Sequence, residues 1–210
     1  MRLYLSSYQL GDRPDLLVSM VRGERRGWVI ANALDGGDQE RRTADTQRQI
    51  ASLAELGLEA ADLDLREHDS SSIEAVVGRP DFLWIRGGNV FTLRMALARS
   101  GMDALLVDGL RRDAFVCAGF SAGPCVLAPT LNGLEHCDPI EDCLAAYGEV
   151  RYDGLGVLDR AVVPHMSSPG HPETELLGEV AARYDAERRP YWALRDGQAL
   201  VVDGGAPTVR

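Results

Sequence analysis

Along this chain, short apolar runs alternate with longer stretches whose apolar positions recur at helical spacing. Arg2–Ser6 reads as a first strand, and 12–20 as a helix with Asp12 as cap and Pro14 in its first turn. A second apolar run, 27–32, ends in the loop Asp35-Gly36-Gly37-Asp38. Ile50, Leu53 and Leu56 mark a helix over 41–56 that stops at Gly57. A strand at 58–65 and a short helix at 72–77 follow, then a strand at 81–86 that runs into Gly87-Gly88-Asn89. Helices are expected at 90–100 and 102–112, and a strand over 114–117 leads into Ala118-Gly119-Phe120-Ser121-Ala122-Gly123. Strands at 161–165 and 190–194 flank a helix at 173–184, and 198–202 with 207–209 suggest a terminal hairpin.

Strands apolar on both faces and separated by helices imply a mostly parallel sheet covered on both sides. No repeat, linker or low-complexity segment interrupts the pattern. The expectation is an α/β chain with one domain over 1–210: a single doubly wound sheet with helices on both faces. In such folds the reactive crevice lies at the carboxyl ends of the strands. Gly87-Gly88, Ser121, His165 and Asp196 each fall just past a predicted strand end.

Charge narrows the partners. The net charge is −10 and all 22 basic residues are arginine. Acidity of this degree disfavours nucleic acid and anionic membranes. No apolar run reaches the ~18 residues of a membrane span. Met1–Ser7 reads as a strand and not as a secretory signal, so a cytoplasmic location is expected. Four cysteines lie between Cys117 and Cys143. They read as free thiols, and His136, Cys137 and Cys143 lack the C-x-x-C spacing of a zinc site. No metal or cofactor is expected.

A serine between glycines at two-residue spacing, at the end of a buried strand, reads as a nucleophile elbow. The N–H of Ala122 would then face a developing oxyanion. A serine hydroxyl needs a base, and of the four histidines His165 stands on rigid backbone at a strand end. His171, in the loop after Ser167-Ser168-Pro169-Gly170, is placed to touch substrate. Candidates for the carboxylate that would orient His165 are Asp196, Glu135, Asp138 and Asp142, with Asp196 on the better scaffold and Asp138 the runner-up. The Gly87-Gly88-Asn89 turn lets bare backbone N–H groups approach a reacting carbonyl. It lacks the fingerprints of a nucleotide-binding turn.

Taken together, Trp84–Leu93, Gly119–Gly123, Val163-Pro164-His165 and Leu194–Ala199 resemble peptidase family S51, which holds aspartyl dipeptidase and cyanophycinase. The resemblance implies a flavodoxin-like sheet of the class I glutamine amidotransferase kind. It also implies Ser121 as nucleophile, His165 as base, Asp196 or Asp138 as acid, and Gly88 and Ala122 as oxyanion donors. Arg86, Asn89 and His171 are the candidate substrate-binding residues. Glu175 stands where aspartyl-specific members have an arginine, which puts an aspartate preference in doubt.

The expectation is a serine peptidase that acts on short peptides or isopeptides through an acyl-enzyme, with a homodimer left open. Two rivals are an α/β-hydrolase esterase and a non-catalytic binding protein. The order Ser, His, Asp argues against the first, since those enzymes run Ser, acid, His.

Overall fold

The computed structural model describes residues 1–210. Five parallel strands form most of one sheet: β1 (Arg2–Ser6), β2 (Arg26–Ile30), β3 (Glu59–Asp62), β4 (Phe82–Ile85) and β5 (Val116–Phe120). A short parallel pair, β6 (Ala161–Val163) and β7 (Tyr191–Ala193), stands apart. β8 (Ala199–Asp203) and β9 (Thr208–Val209) complete the seven-stranded sheet, in the order β3-β2-β4-β5-β1-β8-β9. β8 runs antiparallel to β1, and β9 antiparallel to β8.

Residue alternation explains why the sheet is covered twice. Leu3, Leu5, Ile30, Leu83, Ile85, Cys117, Leu200 and Val202 point into one core. Tyr4, Val29, Phe82, Trp84, Val116, Ala118, Ala199 and Val201 point into the other. A strand whose alternate side chains both need burial settles only between two layers of helix. On the first face lie α3 (Ile73–Val77), α4 (Val90–Ser100), α5 (Met102–Arg111), α6 (Ala122–Val126) and α8 (Thr174–Ala186). On the second lie α1 (Pro14–Met20) and α2 (Gln39–Glu55). The doubly wound, mostly parallel architecture is therefore present. α1 begins at Pro14 without a side-chain cap from Asp12, whereas Asp38 caps α2 by accepting from Arg41 N–H.

Two features differ from the sequence reading. The strands before His165 and Asp196 pair with each other instead of joining the main sheet. A helix the sequence reading did not place, α7 (Ile140–Tyr147), follows the elbow region and ends at Gly148 in the left-handed conformation. None of the helices is long and apolar enough to cross a membrane.

Candidate active site

Ser121 caps α6 at φ 54, ψ −110, a conformation that costs a non-glycine residue roughly 1–3 kcal/mol. The flanking glycines allow it. A Cβ at Gly119 would collide with the carbonyl of Ile85, and one at Gly123 would lie 2.7 Å from the same oxygen. The end of β4 is thus pressed against the elbow, and β4 leads directly into the second glycine turn. A Cβ at Gly87 would lie 2.7 Å from Ser121 Cβ, and one at Gly88 2.7 Å from the Ala33 carbonyl. Bare backbone is required on both walls beside the serine. The Gly88 N–H makes no hydrogen bond within the chain and is left available to a ligand. Ala122 is the first residue of α6, where helical N–H groups lack intrahelical partners.

His165 follows β6 and is buried, at 1% exposure. It too has a positive φ, 56. Its backbone is held at both ends: its N–H donates to Ser7 Oγ at 2.8 Å, and its carbonyl accepts from Thr174 Oγ1 at 2.6 Å. The ring is held as well. Nδ1 lies 2.6 Å from Asp196 Oδ1, and Ser7 Oγ donates to that same oxygen at 2.8 Å. The Asp196 N–H donates to Ser168 Oγ at 2.9 Å. Burial pulls the imidazole below its ordinary range, and His171 adds to this, while the bond to Asp196 opposes it. The bond to the Asp196 carboxylate calls for a proton on Nδ1, which leaves Nε2 as the nitrogen turned away from that partner. Ser121 and His165 line the same cleft but share no hydrogen bond.

That cleft has a volume of about 240 Å³ and is walled by Tyr8, Arg41, Arg86, Gly87, Gly88, Phe120, Ser121, His165, His171, Pro172 and Glu173. A larger cavity of about 450 Å³, among Arg79, Leu105, Arg112 and Phe115, opens at the opposite ends of the strands and holds no nucleophile. Chemistry, not size, distinguishes the cleft.

Not every candidate residue arrives there. Asp138 does not bond His165: its carboxylate accepts from Val90 N–H at 2.9 Å at the start of α4. Burial pushes this carboxyl up to about 7 despite that bond. Glu135 pairs with Arg183, so the imidazole meets Asp196 alone among the four carboxylates considered. Asn89 is spent as the cap of α4, accepting from Phe91 and Thr92 N–H and donating to the Pro139 carbonyl, and it does not line the cleft. Arg86 lines the cleft, but its guanidinium is held by Asp45 at 2.6 Å and by the Gly87 carbonyl at 2.6 Å. His171 does reach the site, stacked flat on His165 with ring centroids 3.6 Å apart. Tyr8 meets both rings edge-on. Glu175 is exposed and outside the cleft, whereas Glu173 lines it. His136, Cys137 and Cys143 do not form a ligand cluster.

Residues the sequence reading missed are Ser7, Tyr8, Thr174 and Arg41. Ser7 follows β1, the same kind of strand-end position as Ser121, and that rule would have found it.

Residues 36–209 match the profile of peptidase family S51. The chain belongs to this family. Among similar proteins, an uncharacterized peptidase of Listeria monocytogenes is 25% identical over 73% of this chain and 71% of its own length. A peptidase E of Streptomyces coelicolor is 27% identical, over 76% of this chain and 62% of its own. The fold agrees with solved structures. A Listeria monocytogenes EGD-e protein provisionally named peptidase E superposes with a TM-score of 0.81 at 21% identity, covering 100% of this chain and 97% of that one. A peptidase from an acI-B1 actinobacterium gives 0.69 at 18% identity, covering 100% and 86%.

Proposed function

We propose that this chain is a serine peptidase that hydrolyses short peptides or isopeptides. In this reading Ser121 Oγ attacks the scissile carbonyl as His165 Nε2 takes its proton. Asp196 fixes the tautomer of His165 and stabilises the imidazolium that forms. The N–H groups of Gly88 and Ala122 receive the oxyanion. His165 then returns the proton to the leaving amine, and water clears the acyl-enzyme. The observation that carries the reading is the 2.6 Å bond from a buried, doubly anchored His165 to Asp196, beside a strained serine in one cleft.

The walls bear on substrate. Glu173 suits a free α-amine, and Arg41, which forms no ion pair, suits a carboxylate. Both fit a dipeptide better than a long chain.

A dipeptide library, including Asp-X and β-aspartyl-Arg, screened with wild type and Ser121→Ala, tests this. Turnover and fluorophosphonate labelling should both disappear in the variant. Full hydrolysis by Ser121→Ala would refute the assignment. The non-catalytic rival draws on one observation, the lack of a hydrogen bond between Ser121 and His165. An unreactive Ser121 together with a ligand-induced rise in Tm would establish it.

A further inference from the structure

We propose that His165, His171 and Glu173 form a site for a divalent transition-metal ion, Zn²⁺ by its donor set, and that occupancy shuts off the hydrolase proposed above. One nitrogen from each ring and one Glu173 oxygen lie within 4.8 Å of one another, and all three residues face the cleft. Two histidines and a glutamate, with a fourth position open to water, make a ligand set that suits zinc. Tetrahedral bonds of 2.0–2.2 Å put ligand atoms about 3.4 Å apart, so closing on the ion requires movements on the order of 1 Å.

His165 is already supported in the way a metal ligand is. A metal-bound histidine generally donates its other ring N–H to a carboxylate, which fixes the tautomer and raises basicity. Asp196 already holds Nδ1 in this way. The device that prepares Nε2 to take a proton prepares it equally to take a metal ion.

His171 is the part that must move. Its ring lies 5° from parallel with that of His165, which sets the two in-plane lone pairs side by side instead of convergent. Its one side-chain hydrogen bond, from Glu173 N–H to Nδ1, is 3.3 Å long. A ring held this lightly, next to Gly170 at φ 90, can tilt out of the stack. Once Nε2 is bound to metal, its lone pair cannot accept the Ser121 proton. The inhibitory half of the proposal therefore rests on the peptidase reading, and the binding half does not.

The test is a CoCl₂ titration of the full chain, read by the visible d–d absorption of Co²⁺, with Zn²⁺ as competitor. One ion per chain should bind, and Zn²⁺ should displace it. His171→Ala and Glu173→Gln should each weaken binding by more than about tenfold, the smallest loss expected for a ligand when supporting residues alone cost 10–100-fold. Cys137→Ser, which removes the one partly exposed thiol, should bind as wild type does. No Co²⁺ spectrum, binding unchanged in either ligand variant, or binding lost in Cys137→Ser would each overturn the site. Ser121→Ala should bind normally. Zn²⁺ binding to a wild type that hydrolyses nothing would support the site and refute the peptidase, whereas Zn²⁺ bound at full activity would refute the inhibition.

Discussion

Replacing Ser7 tests whether the dyad is held from the main sheet. Its hydroxyl receives the His165 N–H and donates to Asp196 Oδ1, both at 2.8 Å, and the residue is fully buried. In Ser7→Ala the His165 N–H has no partner and no access to water. An orphaned buried donor costs about 1–3 kcal/mol. For a domain of this size each kcal/mol lowers Tm by about 2–4 °C, so the fall should lie between roughly 2 and 12 °C. Asp196 keeps its bond to Nδ1. Activity should therefore fall far less than the ~10⁴ expected when the orienting aspartate itself is neutralised. A loss of about tenfold in kcat, equivalent to ~1.4 kcal/mol, is expected. KM should hold, because Ser7 does not line the cleft. The assay is a thermal melt beside steady-state kinetics on a dipeptide found in the library screen. Ser7→Cys is the control, since a thiol fills the space but bonds weakly. It should resemble Ser7→Ala. A Tm within 1 °C of wild type, or a Cys variant indistinguishable from wild type, would refute the hydrogen-bond argument.

Three further outcomes are expected. Because burial lowers the His165 pKa, kcat/KM should rise with pH through an apparent pKa below the ordinary ~6.5 of imidazole. The unfolded chain binds that proton more readily, so this residue's stabilising contribution is present above pH 6.5 and fades as pH falls; a profile centred above 6.5 contradicts the burial argument. Asp138, raised to about 7, works the other way: the folded state holds its proton, so stability is lost as pH rises from the ordinary carboxyl range through 7. Asp138→Asn keeps an acceptor for Val90 N–H, and its Tm advantage over wild type should grow between pH 5 and 8; a flat difference would count against the buried carboxyl. Gly87→Ala puts a methyl 2.7 Å from Ser121 Cβ and should cut kcat at least tenfold, and a variant with wild-type kinetics would show that the turn yields.

Much of the fold was legible because two physical rules act locally. Leu83 and Ile85 alternate with Phe82 and Trp84, all apolar, which only a two-faced strand explains. The elbow was legible because its glycines answer to one neighbour, Ile85. What stayed hidden depends on partners far away in sequence. Three-residue strands such as Ala161–Val163 carry nothing that says which sheet they join. Ser7 gains its importance from residues 158 and 189 positions away. Two misreadings had local signals. Ile140, Cys143, Leu144 and Tyr147 have helical spacing before Gly148, a signal the sequence reading passed over. Asn89 stands where a helix wants an N-cap, and its side chain is taken up by capping and by the Pro139 carbonyl.

The separation of β6 and β7 from the main sheet sets the proposed site between two sets of strands that share one hydrophobic core. Ser121 stands at the end of β5 in the main sheet, and His165 and Asp196 follow β6 and β7. Ser7 bridges the seam between them. Ala161, Val162, Val163 and Leu194 pack in one core with Leu3, Leu5 and Leu83, so heat loosens both sets of strands together. Any activity should therefore be lost in the same thermal transition as the chain's overall order.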